Sequence, residues 1–481
     1  MSGLAYLGAA EALAAFRKKA LSPVELTEAV IARAEATEPA VNALTYRFFE
    51  AAREAAGEAE ARYMGRGPTP RPLEGICVAV KDSGHIAGQP TSAGSLLASE
   101  APQPATSPIN QRVLEAGAIV HARSATPEYS CAAVTWSRRW GVTRNPWNTA
   151  MTPGGSSGGA GAALAAGSAT LATGSDIGGS IHIPAACCGV VGYKPPRGRN
   201  PVDAPFNLDP YCHTGPMARS VGDALLFQNL LSGPHPEDPC TLPYQEIRPG
   251  PSRIKGLRVA VSRDLGFFEV EPEMLAALET AAQLFRDLGA KVTEISLPWG
   301  NDVLQAALTH LRLIFGTSIA PENDAGWERM TPYASDFARA GLAVRPRDYL
   351  AALTTAGEAG RALGKAMAGY DLPLCPATAI PAVPANFDPA SDSLQINGRE
   401  MDSMLGWALT VPFNMLGTHP VLSVPVAQSA SGVPMGVQIT GRPFDEATVF
   451  RAGLAFERAR GAWFTSGGPK PMDTSVQNHM L

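Results

Sequence analysis

The segment NPWNTAMTPGGSSGGAGAALAAGSATLATGSDIGGSIHIPAACCGVVGYKPPRGR, residues 145–199, constrains this chain more than any other part. Two glycine-serine clusters, PGGSSGG at 153–159 and DIGGS at 176–180, bracket an alanine-rich stretch. A helix of alanine and glycine offers water no polar face, so this stretch predicts a helix buried on all sides. Such a helix needs a large core around it, and 481 residues with 45% hydrophobic side chains can build one. The 48 glycines and 42 prolines are dispersed without a repeat, which predicts many tight turns rather than a fibrous or low-complexity chain.

Glycine clusters beside serine have three chemical uses. A phosphate-binding loop wants G-x-x-x-x-G-K-[ST], yet no lysine occurs between Ala150 and Val190. A dinucleotide site wants G-x-G-x-x-G between strand and helix with an acid about 20 residues on, and neither cluster supplies it. A nucleophilic serine wants backbone N–H groups converging on an oxyanion, which glycines permit by close approach. Asp176-Ile177-Gly178-Gly179-Ser180 has that composition.

A nucleophilic serine also needs a base. His182 is two residues from Ser180, but side chains adjacent on one strand face rarely meet in line. The run Gly75–Val80 reads as a buried strand that ends in Lys81 and Asp82, and ligands gather at the carboxyl ends of strands in α/β sheets. A buried lysine loses charge and then accepts protons near neutrality, so Lys81 is the candidate base.

The remainder of the chain sets the architecture. Ser22-Pro23-Val24-Glu25 is a capping box that opens a helix running to Pro39, and residues 1–66 read as an N-terminal helical segment. Gly256–Val261, a helix from Pro272 to Leu288 and Lys291–Ile295 form a β-α-β unit. Residues 300–370 are mostly helical by pattern, Tyr370–Pro376 reads as another internal strand, and Val421–Val426 with Met435–Thr440 reads as a hairpin. The class is α/β, and the absence of repeats and long linkers favours one large domain over 1–481.

Charge and cysteine usage narrow the partners. With 39 basic and 44 acidic residues the net charge is −5, so no basic field draws nucleic acid. The most apolar stretches are broken by glycine, serine and threonine, and the N-terminus carries its basic residues after the apolar ones, so neither a membrane span nor export is expected. Seven scattered cysteines without a C-x-x-C pair fit free thiols in the cytoplasm. His182 lies near Cys187 and Cys188, but the spacing does not build a tetrahedral site, so no metal or cofactor is expected.

These residues carry a resemblance. GICVAVKDSGHIAGQPTSAGS at 75–95, TPEYS and GVTRNPWN within 126–148, PGGSSGG, GSDIGGSIHIPAACCGVVGYKP at 174–195 and the stretch from SVP to GRPFDE at 423–446 are similar to amidase-signature hydrolases. The resemblance implies a central mixed β-sheet flanked by helices on both faces, with a signature core over 67–200 and a variable substrate-pocket region over 300–370. It implies a triad in which Lys81 is the base, Ser156 the bridging residue after a cis Gly155–Ser156 peptide, and Ser180 the nucleophile. The amides of Ile177, Gly178, Gly179 and Ser180 would form the oxyanion hole, with Ser157 and Asp176 in support.

The chain departs from the family pattern at His182, where arginine is usual, and at the sequence GTHP with His419, where a shorter motif is usual. The implied activity is cofactor-independent hydrolysis of a small-molecule amide, ester or carbamate through an acyl-serine. The alternative is an ammonia-transferring amidotransferase subunit of the A type that works in a complex, a role that the histidine at 182 disfavours. Tyr129, Trp136, Trp140, Trp327 and Tyr333 are candidates either for a substrate pocket or for core. A homodimer is the commonest assembly for such a chain.

Overall fold

Alternation and burial organise the chain around one mixed sheet of eleven strands in the computed structural model, which describes residues 3–461, 463, 464, 471 and 472. In spatial order the strands are Leu44–Arg47, Ile119–Ser124, Cys77–Lys81, Leu171–Asp176, His213–Ala218, Val191–Lys194, Val421–Gln428, Pro434–Thr440, Leu372–Pro376, Arg258–Val261 and Lys291–Glu294. Cys77–Lys81 runs parallel to both of its neighbours, whereas the strands from Leu171–Asp176 to Leu372–Pro376 pair antiparallel. The anticipated β-α-β unit is present as Arg258–Val261, the helix Pro272–Asp287 and the parallel strand Lys291–Glu294.

Helices cover both faces. Leu422 lies against Gly453 of the helix Glu446–Arg460, while the next residue, Ser423, donates from its hydroxyl to the His182 carbonyl of the helix His182–Cys188. Neighbours along a strand point to opposite faces, so these two helices sandwich the sheet. The alanine-rich stretch forms the helix Gly158–Ala166, and all nine of its residues are buried, as its lack of a polar face requires.

Two local expectations need correction. The helix capped by Ser22 continues past Pro39 to Val41, because Pro39 falls on the exposed side of the last turn, where water can take the carbonyl its missing N–H leaves free. The N-terminal segment is also not purely helical. Leu44–Arg47 pairs antiparallel with Ile119–Ser124 at the edge of the sheet.

Candidate active site

Parallel pairing brings strand ends with the same polarity to one edge, and this assembles the site. Cys77–Lys81 lies beside Leu171–Asp176, so Lys81 ends next to Thr173 and Ser175. The Lys81 amide donates to Thr173 Oγ1 at 3.2 Å, and Nζ donates to Ser175 Oγ at 2.9 Å and to Ser156 Oγ at 2.7 Å. Lys81 is 3% exposed. Burial pulls its ammonium down from 10.5 to about 7, with Asp176 and Cys212 opposing.

The PGGSSGG loop threads close to its surroundings. A Cβ on Gly155 would strike the carbonyl oxygens of Val134 and Ala132, and one on Gly158 would strike the Thr135 side chain. The Gly155–Ser156 peptide is cis. Ser157 joins the two glycine clusters: its amide donates to the Ser180 carbonyl at 3.1 Å and its hydroxyl to the Ser175 carbonyl at 3.3 Å.

Asp176 organises the second cluster. Its carboxylate accepts from the amides of Gly179 and Ile181, each at 2.7 Å, and from that of His182 at 3.4 Å. Burial raises the carboxyl, but His182, these amides and Asn414 together hold it below its ordinary value. His182 Nδ1 stands 3.3 Å from Asp176 Oδ2, and burial keeps the imidazole below its ordinary pKa. The residue that replaces the usual arginine therefore faces Asp176 and the start of its own helix. Among the described residues it forms no hydrogen bond with Ser180.

Gly179 has φ +120°, and a Cβ there would run into Thr410, whose hydroxyl donates to the Gly178 carbonyl at 2.8 Å. The Gly179 amide is engaged by Asp176, whereas the amides of Ile177, Gly178 and Ser180 donate to no protein acceptor among the described residues. Three of the four amides at 177–180 are thus open among the described residues. Ser180 is 8% exposed, and its hydroxyl has no hydrogen-bond partner among the described residues, Ser156 included.

The cleft has two compartments. A cavity of about 430 Å3 is lined by Lys81, Ser156 and Ser175 together with residues such as Tyr129, Phe206 and Phe315. A niche of about 30 Å3 contains Ser180 with Ala133, Leu311 and Leu405, and the two compartments share Ser130, Ile177 and Phe315. Of the candidate aromatics only Tyr129 reaches this cleft. Tyr333 is fully buried and bonded to the Glu128 amide and the Trp136 carbonyl, Trp136 packs edge-on against it at 4.9 Å, Trp140 donates to Ser92, and Trp327 lies under Arg339.

Sequence reasoning missed two contributors. Ser175 was detectable in principle, since alternation puts Thr173 and Ser175 on one face of a strand ending at Asp176. Thr410 carries no local signal and arrives through tertiary packing. The unusual His419 faces the Gly441 carbonyl with Nδ1, while its own carbonyl accepts from the buried Lys194 at 2.8 Å. Cys187 and Cys188 donate from their thiols to the carbonyls of Pro381 and Pro153.

This arrangement places an amine that burial has lowered to about 7 against two hydroxyls, in a cavity whose adjoining niche holds a third hydroxyl beside open amides. Comparison with known proteins identifies the family. The Amidase family model matches residues 25–450. The glutamyl-tRNA(Gln) amidotransferase A subunit of Chloroflexus aggregans is 33% identical over 97% of this chain and 98% of its own length. An acylamidase of Rhodococcus erythropolis is 32% identical over 98% of each chain. The crystal structure of a bacterial aryl acylamidase superposes with a TM-score of 0.88 at 28% identity, covering 94% of this chain and 96% of that one. No helix among the described residues is long and apolar enough to cross a membrane. The chain belongs to the amidase-signature family of hydrolases and is an amidase.

Proposed function

We propose that the chain hydrolyses a small-molecule carboxylic amide through an acyl-serine on Ser180, with Lys81 as base and Ser156 as the proton bridge. The observation that carries this reading is the 2.7 Å contact between the buried Lys81 Nζ and Ser156 Oγ. Neutral Lys81 takes a proton from Ser156, Ser156 takes one from Ser180, and Ser180 Oγ attacks the carbonyl carbon. Since Ser156 and Ser180 are not bonded in the free enzyme, the reading requires the Ser180 hydroxyl to turn toward Ser156 when substrate enters. Open amides at Ile177, Gly178 and Ser180 hold the oxyanion, while Asp176, bonded to Gly179 and Ile181, fixes the loop that carries them.

The proton returns through Ser156 to the leaving nitrogen, and water then cleaves the acyl-enzyme. Esters and carbamates present the same carbonyl and enter the same scheme. The seven cysteines, all unpaired, suit a reducing cytoplasm. A second reading, transfer of ammonia within a complex, is favoured by the likeness to the amidotransferase A chain. Assay of the purified chain alone separates the two: unaided release of amine from simple amides supports the free-standing hydrolase. Turnover that appears only with partner proteins supports the other.

A further inference from the structure

Building on the acyl-serine reading, we infer that the cleft is polarised: the niche at Ser180 takes a short acyl group, and the cavity at Lys81 and Ser156 takes a bulky, mainly apolar amine. In acylation the Ser180 Oγ–carbon bond forms and the carbon–nitrogen bond breaks. The proton lost by Ser180 travels to Ser156 and Lys81 and must be handed back to the departing nitrogen. That hand-over requires the nitrogen side of the substrate to face Ser156. Lys81 and Ser156 line the cavity of about 430 Å3, and neither lines the niche. With the nitrogen in the cavity, the acyl side of the carbonyl is left to the niche, which Ser180 lines together with Ile177 and Gly178, whose open amides face the same carbonyl.

The dimensions set the chemistry of each side. The niche holds about 30 Å3, room for roughly one or two heavy atoms. Leu311 and Leu405 line it: their methyl carbons stand 3.6 and 3.9 Å from where a Cβ on Gly178 would lie. On the amine side, Phe206 and Phe315 meet edge to face at 5.4 Å and form a corner for a ring, with Ile109 and Ile319 extending the apolar wall.

The test uses p-nitrophenyl esters from acetate to octanoate, which share one leaving group, together with acetanilide and acetamide. A methylene that does not fit an apolar pocket changes kcat/KM by roughly 10–200-fold. We expect a fall of that size beyond propionate, a shift of the optimum to longer acyl chains in Leu405→Ala and in Met404→Ala, a less buried residue that also lines the niche, and an unchanged acyl profile in Phe206→Ala. Acetanilide is expected to outpace acetamide in wild type, with the margin reduced in Phe206→Ala. A preference for octanoate, or an acyl profile that moves with Phe206→Ala and not with either niche variant, overturns the polarity while leaving the acyl-serine intact. Absence of acyl adducts on Ser180 by peptide mass with every ester overturns the underlying reading instead.

Discussion

Lys81 Nζ lies within hydrogen-bond distance of both Ser156 Oγ and Ser175 Oγ, at 2.7 and 2.9 Å, and forms no ion pair among the described residues. An amine in that position can exchange protons with hydroxyls, because burial has brought it to about 7.

The pH profile follows from that value. Protonated Lys81 cannot accept, so kcat/KM is expected to fall about tenfold per pH unit below roughly pH 7 and to level off above it. Stability runs the same way. Between about 7 and 10.5 the unfolded chain holds a proton on this lysine that the folded chain has released, so the contribution of Lys81 to stability rises with pH across that window. Thermal melting of Lys81→Met should show an inactive protein that melts above wild type at pH 6, with the gap closing toward pH 10.

Ser175 is a positioning residue in this account. Ser175→Ala removes one of two acceptors for the amine, and the expected loss in kcat is about tenfold to a hundredfold, the worth of a hydrogen bond to a charged group. Because the lost bond favours the ammonium, the acid limb should also move to lower pH, and Ser175→Thr should restore both. Steady-state kinetics across pH 5–9 reads these together.

The proposed relay assigns no proton transfer to His182, whose Nδ1 stands 3.3 Å from Asp176 Oδ2. His182→Gln is expected to lower stability by about 1–3 kcal/mol, through loss of a buried polar contact, and to leave the acid limb of kcat/KM near pH 7. An acid limb that disappears in this variant assigns the base to His182.

Gly179 and Gly357 make a matched pair. Gly179→Ala puts a Cβ into Thr410 at φ +120° and should abolish activity with a stability loss of about 1–3 kcal/mol. Gly357 is exposed within the helix Pro346–Ala366 with nothing near its Cβ position, so Gly357→Ala should raise stability by about 0.5–1 kcal/mol and leave turnover unchanged. Denaturant unfolding measures both.

Much of this layout is legible in the residues alone. Apolar runs bounded by glycine and proline mark the strands at 77–81, 258–261, 372–376 and 421–440, and the lack of polar residues marks the buried helix 158–166. Lys81 can be singled out because a charge ending a buried strand needs a reason. What cannot be read is the placement of groups that meet only through tertiary contact. Thr410 reaches Gly178 across 232 residues. The edge strand Leu44–Arg47 is four residues long, too short for a periodicity to register. Nor can the glycine pattern tell which amides stay open, since the engagement of Gly179 depends on where the Asp176 carboxylate turns.

The most direct test is covalent. Wild type and Lys81→Ala, each incubated with a fluorophosphonate at pH 8 and digested, are compared by peptide mass. Rapid modification of Ser180 alone in wild type, with loss of that reactivity in Lys81→Ala, is the predicted result. A label on another residue, or equal labelling of Ser180 in both proteins, contradicts the assignment of residue 81 as the group that activates the nucleophile.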